Sequence, residues 1–130
     1  MKQNDDARSI FNTNDTMPLK DALLEFSDWM YQIEGYKKRI VWGNGATFDN
    51  TILTNAYKAT NMTKPWHFSN DRDVRTMVDV GRRVLGIDPK KSNAFKGNPH
   101  NALDDAKHQA KYISDIYKQI SHCHSIYLKQ

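Results

Sequence analysis

A single cysteine, Cys123, stands among the 130 residues, so no disulfide can form within the chain. A zinc site of paired cysteines is excluded too, and His122-Cys123-His124 does not restore one, because residues two apart on a helix point in different directions. Proline and glycine are sparse, at 4 and 6, and fall singly as punctuation; no linker, repeat or low-complexity tract interrupts the chain. No apolar run is long enough to span a bilayer. Nor is Met1-Lys2-Gln3-Asn4-Asp5-Asp6 followed by the apolar segment of a secretory signal. These absences lead to the expectation of a cytoplasmic protein with no membrane partner.

What is present fits one modest core: 38% apolar residues, of which the aromatics are 11% of the chain. The net charge of +4 leans toward a polyanionic partner such as nucleic acid. Residues 1–10 are polar and weakly helical, and 12–16 carry turn chemistry ending in a cap at Thr16. Apolar residues at Leu19, Ala22, Leu23, Phe26, Met30 and Ile33 then predict a helix over 18–34, stopped by Gly35. Ile40-Val41-Trp42 reads as a strand covered on both faces and broken by Gly43-Asn44-Gly45. A helix opening at Phe48 or Asp49 turns Ile52, Leu53, Ala56 and Tyr57 inward and ends before Pro65. Trp66-His67-Phe68 reads as a second strand, and a third helix follows with Val74, Met77, Val78, Val80 or Gly81, and Leu85, closed by Gly86. A polar loop is expected over 86–99. The last helix is predicted over 102–120, capped by Asn101 and packed through Ala102, Ala106, Ala110, Ile113 and Tyr117. Helices with short interposed strands imply an α/β domain.

Chemistry concentrates in two places. Asp49 lies just past a strand and a glycine-bearing turn, where α/β sheets place functional groups, though it reads equally well as the cap of the helix that it opens. Asp105 lies one turn into the last helix, beside its apolar stripe, and His100 precedes it by five residues. A carboxylate next to an apolar face needs a partner or a cation, and a loop histidine can act as a general base. Together they make a candidate base and two candidate metal-binding acids. Oxygen donors suit Mg²⁺ or Mn²⁺, and phosphodiester cleavage with two such ions wants more than two carboxylates. Asp104 faces the other way and suits the positive helix end.

Three segments in order carry a resemblance: Val41-Trp42-Gly43-Asn44-Gly45-Ala46-Thr47-Phe48-Asp49-Asn50, Asn70-Asp71-Arg72-Asp73-Val74-Arg75-Thr76 and His100-Asn101-Ala102-Leu103-Asp104-Asp105-Ala106. The chain resembles the DEDDh exonuclease superfamily, the DnaQ-like branch of the ribonuclease H fold. More narrowly, it is similar to the prophage and phage 3′–5′ exonucleases related to exodeoxyribonuclease VIII and exonuclease A, over about residues 2–120. The resemblance implies that Asp105 binds the water-activating metal, Asp49 the second metal, and that His100 is the general base. It offers Asn44 and Lys96 as substrate contacts, leaves Asp73 and Arg75 to local contacts, and makes Phe48 and Trp42 core residues. DNA is expected ahead of RNA.

One part of the family pattern has no counterpart. Members begin with strands, the first of which carries an Asp-x-Glu pair, and Asp5-Asp6 cannot replace it. The expectation is therefore one partial domain over 1–130: a partial ribonuclease H-like fold with short parallel strands and packing helices, truncated at its first strands and inactive alone. The exposed edge at Ile40-Val41-Trp42 would then pair with a second copy or another chain. The alternative is a non-enzymatic prophage remnant, an interaction or nucleic-acid-binding module.

Overall fold

The computed structural model describes residues 16–98 and 101–127, and Tyr127 by its backbone alone. The chain is α/β, mostly helical, and divides into two compact units, one ending at Asp73 and the other running on from Val74.

In the first unit, helix α1 spans Leu19–Tyr31 and strand β1 spans Val41–Gly43. Helix α2 spans Asp49–Ala59 and strand β2 spans Asp71–Asp73. The strands are parallel, in the register Val41↔Asp71, Trp42↔Arg72 and Gly43↔Asp73, with α2 in the crossover. Leu23 and Met30 of α1 pack with Tyr57 of α2 and with Trp66, the last fully buried. Phe26, Val41, Leu53, Ala56 and Met62 surround them. Ser27 donates to the Leu23 carbonyl at 2.7 Å and shares a 2.7 Å hydrogen bond with the Tyr57 hydroxyl, so the polar groups inside this core are satisfied. Burial pushes the Tyr57 phenol up, partly opposed by its hydrogen bond with Ser27.

Several expectations for this unit need correction. Thr16 does not cap α1; the Pro18 carbonyl accepts the Asp21 and Ala22 N–H groups, and Leu19 and Ile33 stay exposed at either end. The strand starts at Val41, leaving Ile40 exposed and Val41 and Trp42 half-buried. Trp66-His67-Phe68 is not a strand. Trp66 drops into the core and donates Nε1–H to Asp71 at 2.9 Å, a 3-10 turn covers Phe68–Asn70, and pairing begins only at Asp71. Phe48 is not a core residue either, being 66% exposed.

In the second unit, helix α3 spans Val74–Val84, a short helix α4 spans Pro89–Ser92, and α5 runs through Ala102–Tyr127. Buried Val74, Val78, Tyr112, Ile113 and Ile116 form its interior. A Cβ on Gly81 would come within 3.2 Å of Ile116 Cδ1, so this glycine lets α3 approach α5. Gly86, at φ 65, ends α3 in a left-handed cap: the Ile87 N–H reaches back to the Gly81 carbonyl at 3.1 Å.

Here, too, two expectations fail. The stretch 86–99 contains α4, because Asp88 caps it through the Lys91 N–H and Pro89 supplies a pre-set first position. The packed stripe of α5 is Tyr112, Ile113 and Ile116, while Ala102, Ala106, Ala110 and Tyr117 are exposed. The alanine spacing is helical, but large side chains bury more area and decide which face turns inward.

Candidate active site

Asp49 belongs to the first unit and Asp105 to the second. The turn after β1 presents Asp49. Gly45, at φ 115, accepts the N–H groups of Phe48 and Asp49 on its carbonyl at 2.8 and 3.0 Å, which starts α2 immediately. Gly43 is required by close approach: a Cβ there would overlap Asn50 Oδ1 and stand 3.1 Å from Asp49 Cβ.

Beneath the turn, Asn50 is buried and donates to the Val41 carbonyl at 3.3 Å and to Asp71 Oδ1 at 2.9 Å. Asp71 Oδ1 also receives the Trp66 indole, and its Oδ2 faces Lys64 at 3.6 Å. Asp73 Oδ2 accepts the Ala46 N–H at 2.7 Å. Both strand ends are thereby tied to the turn.

These bonds sort the acids. Asp71 and Asp73 are occupied by the scaffold. Asp49 is exposed, and its carboxylate has no hydrogen-bond or ion-pair partner among the described residues. It lies in the first turn of α2 without capping it, since the cap position is Phe48 and makes no side-chain bond. Asn44 is half-buried, and its side chain makes no hydrogen bond among the described residues.

The second unit repeats the division. Asn101 Oδ1 accepts the Leu103 and Asp104 N–H groups at 3.1 and 3.2 Å, the cap expected from sequence. Asp104 Oδ2 accepts the Asn98 N–H at 3.0 Å, and a Cβ on Gly97, at φ 106, would overlap that carboxylate; Asp104 therefore pins the approach to the helix. Asp105 is half-buried and has no partner of its own among the described residues. Its charge is felt two turns along, where burial first and Asp105 second push the Tyr112 phenol up. His108 stands between them, its ring 5.3 Å from Tyr112 and 5.0 Å from Phe95. This aromatic run was not anticipated from sequence, although the spacing 105, 108, 112 on one helix face could have shown it. Lys96 is exposed in the preceding loop, and His100 lies outside the described residues.

Asp49 and Asp105 are hard oxygen donors, right in kind for a divalent cation. They are short in number: among the described residues no group of three or more His, Cys, Asp or Glu side chains could hold a metal ion. That includes His122, Cys123 and His124. Among the described residues no helix is long and apolar enough to cross a membrane.

A family profile described as a 3'-5' exoribonuclease Rv2179c-like domain matches residues 1–117. No curated relative and no solved structure matches the chain.

Proposed function

Because the chain belongs to the 3'-5' exoribonuclease Rv2179c-like domain family, we propose that it shortens RNA from the 3′ end by hydrolysis and completes its metal site with carboxylates from outside the described residues. The family makes the function 3′–5′ exonuclease-type, and its description as exoribonuclease-like supports reading the substrate as RNA, where the sequence led to an expectation of DNA. One observation favours the assignment of residues: neighbouring acids are hydrogen-bonded into the scaffold, whereas Asp49 and Asp105, in the first turns of α2 and α5, have no partner among the described residues.

In hydrolysis, water adds to phosphorus, the bond to the 3′ oxygen breaks, and a nucleoside monophosphate leaves. Mg²⁺ or Mn²⁺ would supply Lewis acidity. His100 accepts the proton of the attacking water, Asp49 and Asp105 furnish two of the carboxylates, and Asn44 and Lys96 contact the strand. The shortage of donors among the described residues also supports the narrower reading that this chain alone binds nucleic acid without cutting it. Completing strands would pair along β1, whose only strand neighbour among the described residues is β2. They could come from the same polypeptide or from a second copy.

The test is nucleotide release from a 3′-labelled RNA. The 130-residue chain alone should stay at background, and a form extended by an Asp-x-Glu-bearing strand should be active. In the active form, His100→Ala should slow release by roughly 10²–10⁴-fold with binding retained. Asp105-dependent release by the short chain alone would overturn the incompleteness, and an active His100→Ala would overturn the base.

A further inference from the structure

The loops that enter β1 and β2 carry an exposed cluster of rings. Tyr36 stands in a 3-10 turn at Tyr36–Lys38 ahead of β1, and His67 and Phe68 stand ahead of β2. Because the strands are parallel, these loops meet at the sheet's N-terminal end, whereas the Asp49 turn leaves its C-terminal end. The His67 and Phe68 ring centroids are 4.2 Å apart at 37°, and Tyr36 meets His67 edge-on at 5.7 Å.

Phe68 is 73% exposed and Tyr36 42%, so burial contributes little to holding them. Polar bonds beneath do that instead. Buried Asn70 donates Nδ2 to the carbonyls of Lys37 and Arg39 at 2.8 and 3.0 Å, joining the two loops directly. Arg39 donates to the Pro65 carbonyl at 2.9 Å, and the Ser69 hydroxyl lies 2.6 Å from His67 Nδ1. The two loops that carry the rings are thus tied together before any ligand arrives. Lys37 and Lys38 are exposed beside them, with no carboxylate partner among the described residues.

We propose that this cluster is a stacking platform for single-stranded nucleic acid, Phe68 and Tyr36 taking base faces while Lys37 and Lys38 take backbone phosphates. Open aromatic faces beside unpaired lysines are the combination that holds a single strand without reading its sequence, and a duplex keeps its base faces covered. The platform rests on the exonuclease reading for its substrate and deepens it: the strand is gripped at the sheet end opposite Asp49, away from the terminus being cut.

Binding of a labelled oligouridylate of about twelve nucleotides to the full chain, in EDTA, tests it. Phe68→Ala should weaken binding about tenfold and Phe68→Trp should preserve it. Lys37→Gln with Lys38→Gln should flatten the salt dependence by about 0.7 in log–log slope per lysine removed. A dinucleotide should bind all variants alike. Unchanged oligouridylate binding by Phe68→Ala, with circular dichroism intact, overturns the platform. So does a Phe68→Ala variant that alters sedimentation and spares RNA binding, since the rings would then contact protein. Phe68-dependent binding without nucleotide release from any extended form keeps the platform and overturns the exonuclease. Asp105-dependent release with unaltered Phe68→Ala binding does the reverse.

Discussion

Up to Asp73 the chain fixes its polar groups largely with buried or half-buried hydrogen bonds, Ser27 to Tyr57, Asn50 to Asp71 and Asn70 to the carbonyls of Lys37 and Arg39, beside the Lys64–Asp71 ion pair. From Val74 onward it relies on charge pairs nearer the solvent: Arg82 with Asp88, Arg83 with Asp79, and Lys118 with Asp115. The difference follows from the architecture. Among the described residues the sheet has two three-residue strands and offers little ladder, so side chains must cross-link it, whereas a long helix satisfies its own backbone and leaves side chains free. A candidate ligand on the first scaffold is held by a turn, and one on the second by helix phase.

The largest expected contrast is in the cores. Trp66→Ala should cost about 3–5 kcal/mol, and it also strands Asp71 without its indole donor. Ile116→Ala, equally buried, should cost about 2–5 kcal/mol and orphan no polar group. Urea unfolding of the pair measures this; a costlier Ile116→Ala would break the contrast.

Glycines sharpen it. Gly43→Ala should cost about 1–3 kcal/mol by overpacking and should disturb Asn50 and Asp49. Gly86→Ala meets nothing within 4 Å and should pay only the left-handed backbone, about 1–2 kcal/mol, much of it recovered by Gly86→Asn. An asparagine at position 43 should bring no such recovery, which thermal melts would show.

Removing the cap by Asn101→Ala should cost about 1 kcal/mol and fray the start of α5, read by amide exchange at Leu103 and Asp104. Exchange at Phe48 and Asp49 should not change.

Titration gives the smallest effects. A hydrogen bond from Arg82 holds the Asp88 carboxyl below the usual carboxylate range. Its contribution is present above the unfolded value and lost as pH falls through the folded one, so Asp88→Asn should flatten the acid limb of stability. Tyr57 and Tyr112 are raised, so their contributions hold below about pH 10 and fade as pH climbs through the folded values. Asp105→Asn should lower the Tyr112 value and leave Tyr57 unmoved; ultraviolet tyrosinate titration tests it.

Periodicity made α1, α2, α3 and α5 legible, since each has large apolar residues at helical spacing, and the run around Val41 exposed β1. Strand β2 was hidden because Asp71-Arg72-Asp73 is polar: Asp71 and Asp73 act as cross-links, and no apolar alternation marks them. The inward face of α5 was misread because alanines share the spacing of the residues that pack. At the candidate site, Asp49, Asn101 and Asp104 stood out through glycines and capping chemistry. The pair His108 and Tyr112 lay open in the i,i+4 spacing, but the approach of Phe95 to His108 and of Tyr36 to His67 depends on separate segments meeting, which local pattern does not encode.

The Asn101 cap also has a genetic consequence. It fixes where α5 begins, and each residue turns a helix by about 100°. Adjacent identical aspartates consequently do unlike jobs, Asp104 bonded to the Asn98 N–H and Asp105 without a partner among the described residues. Inserting a residue between Asn101 and Asp104 would carry Asp104 into the phase that Asp105 holds now, and deleting one would turn Asp105 into the phase of Asp104 and leave no aspartate in its own. That short interval should reject length changes even where it accepts substitutions.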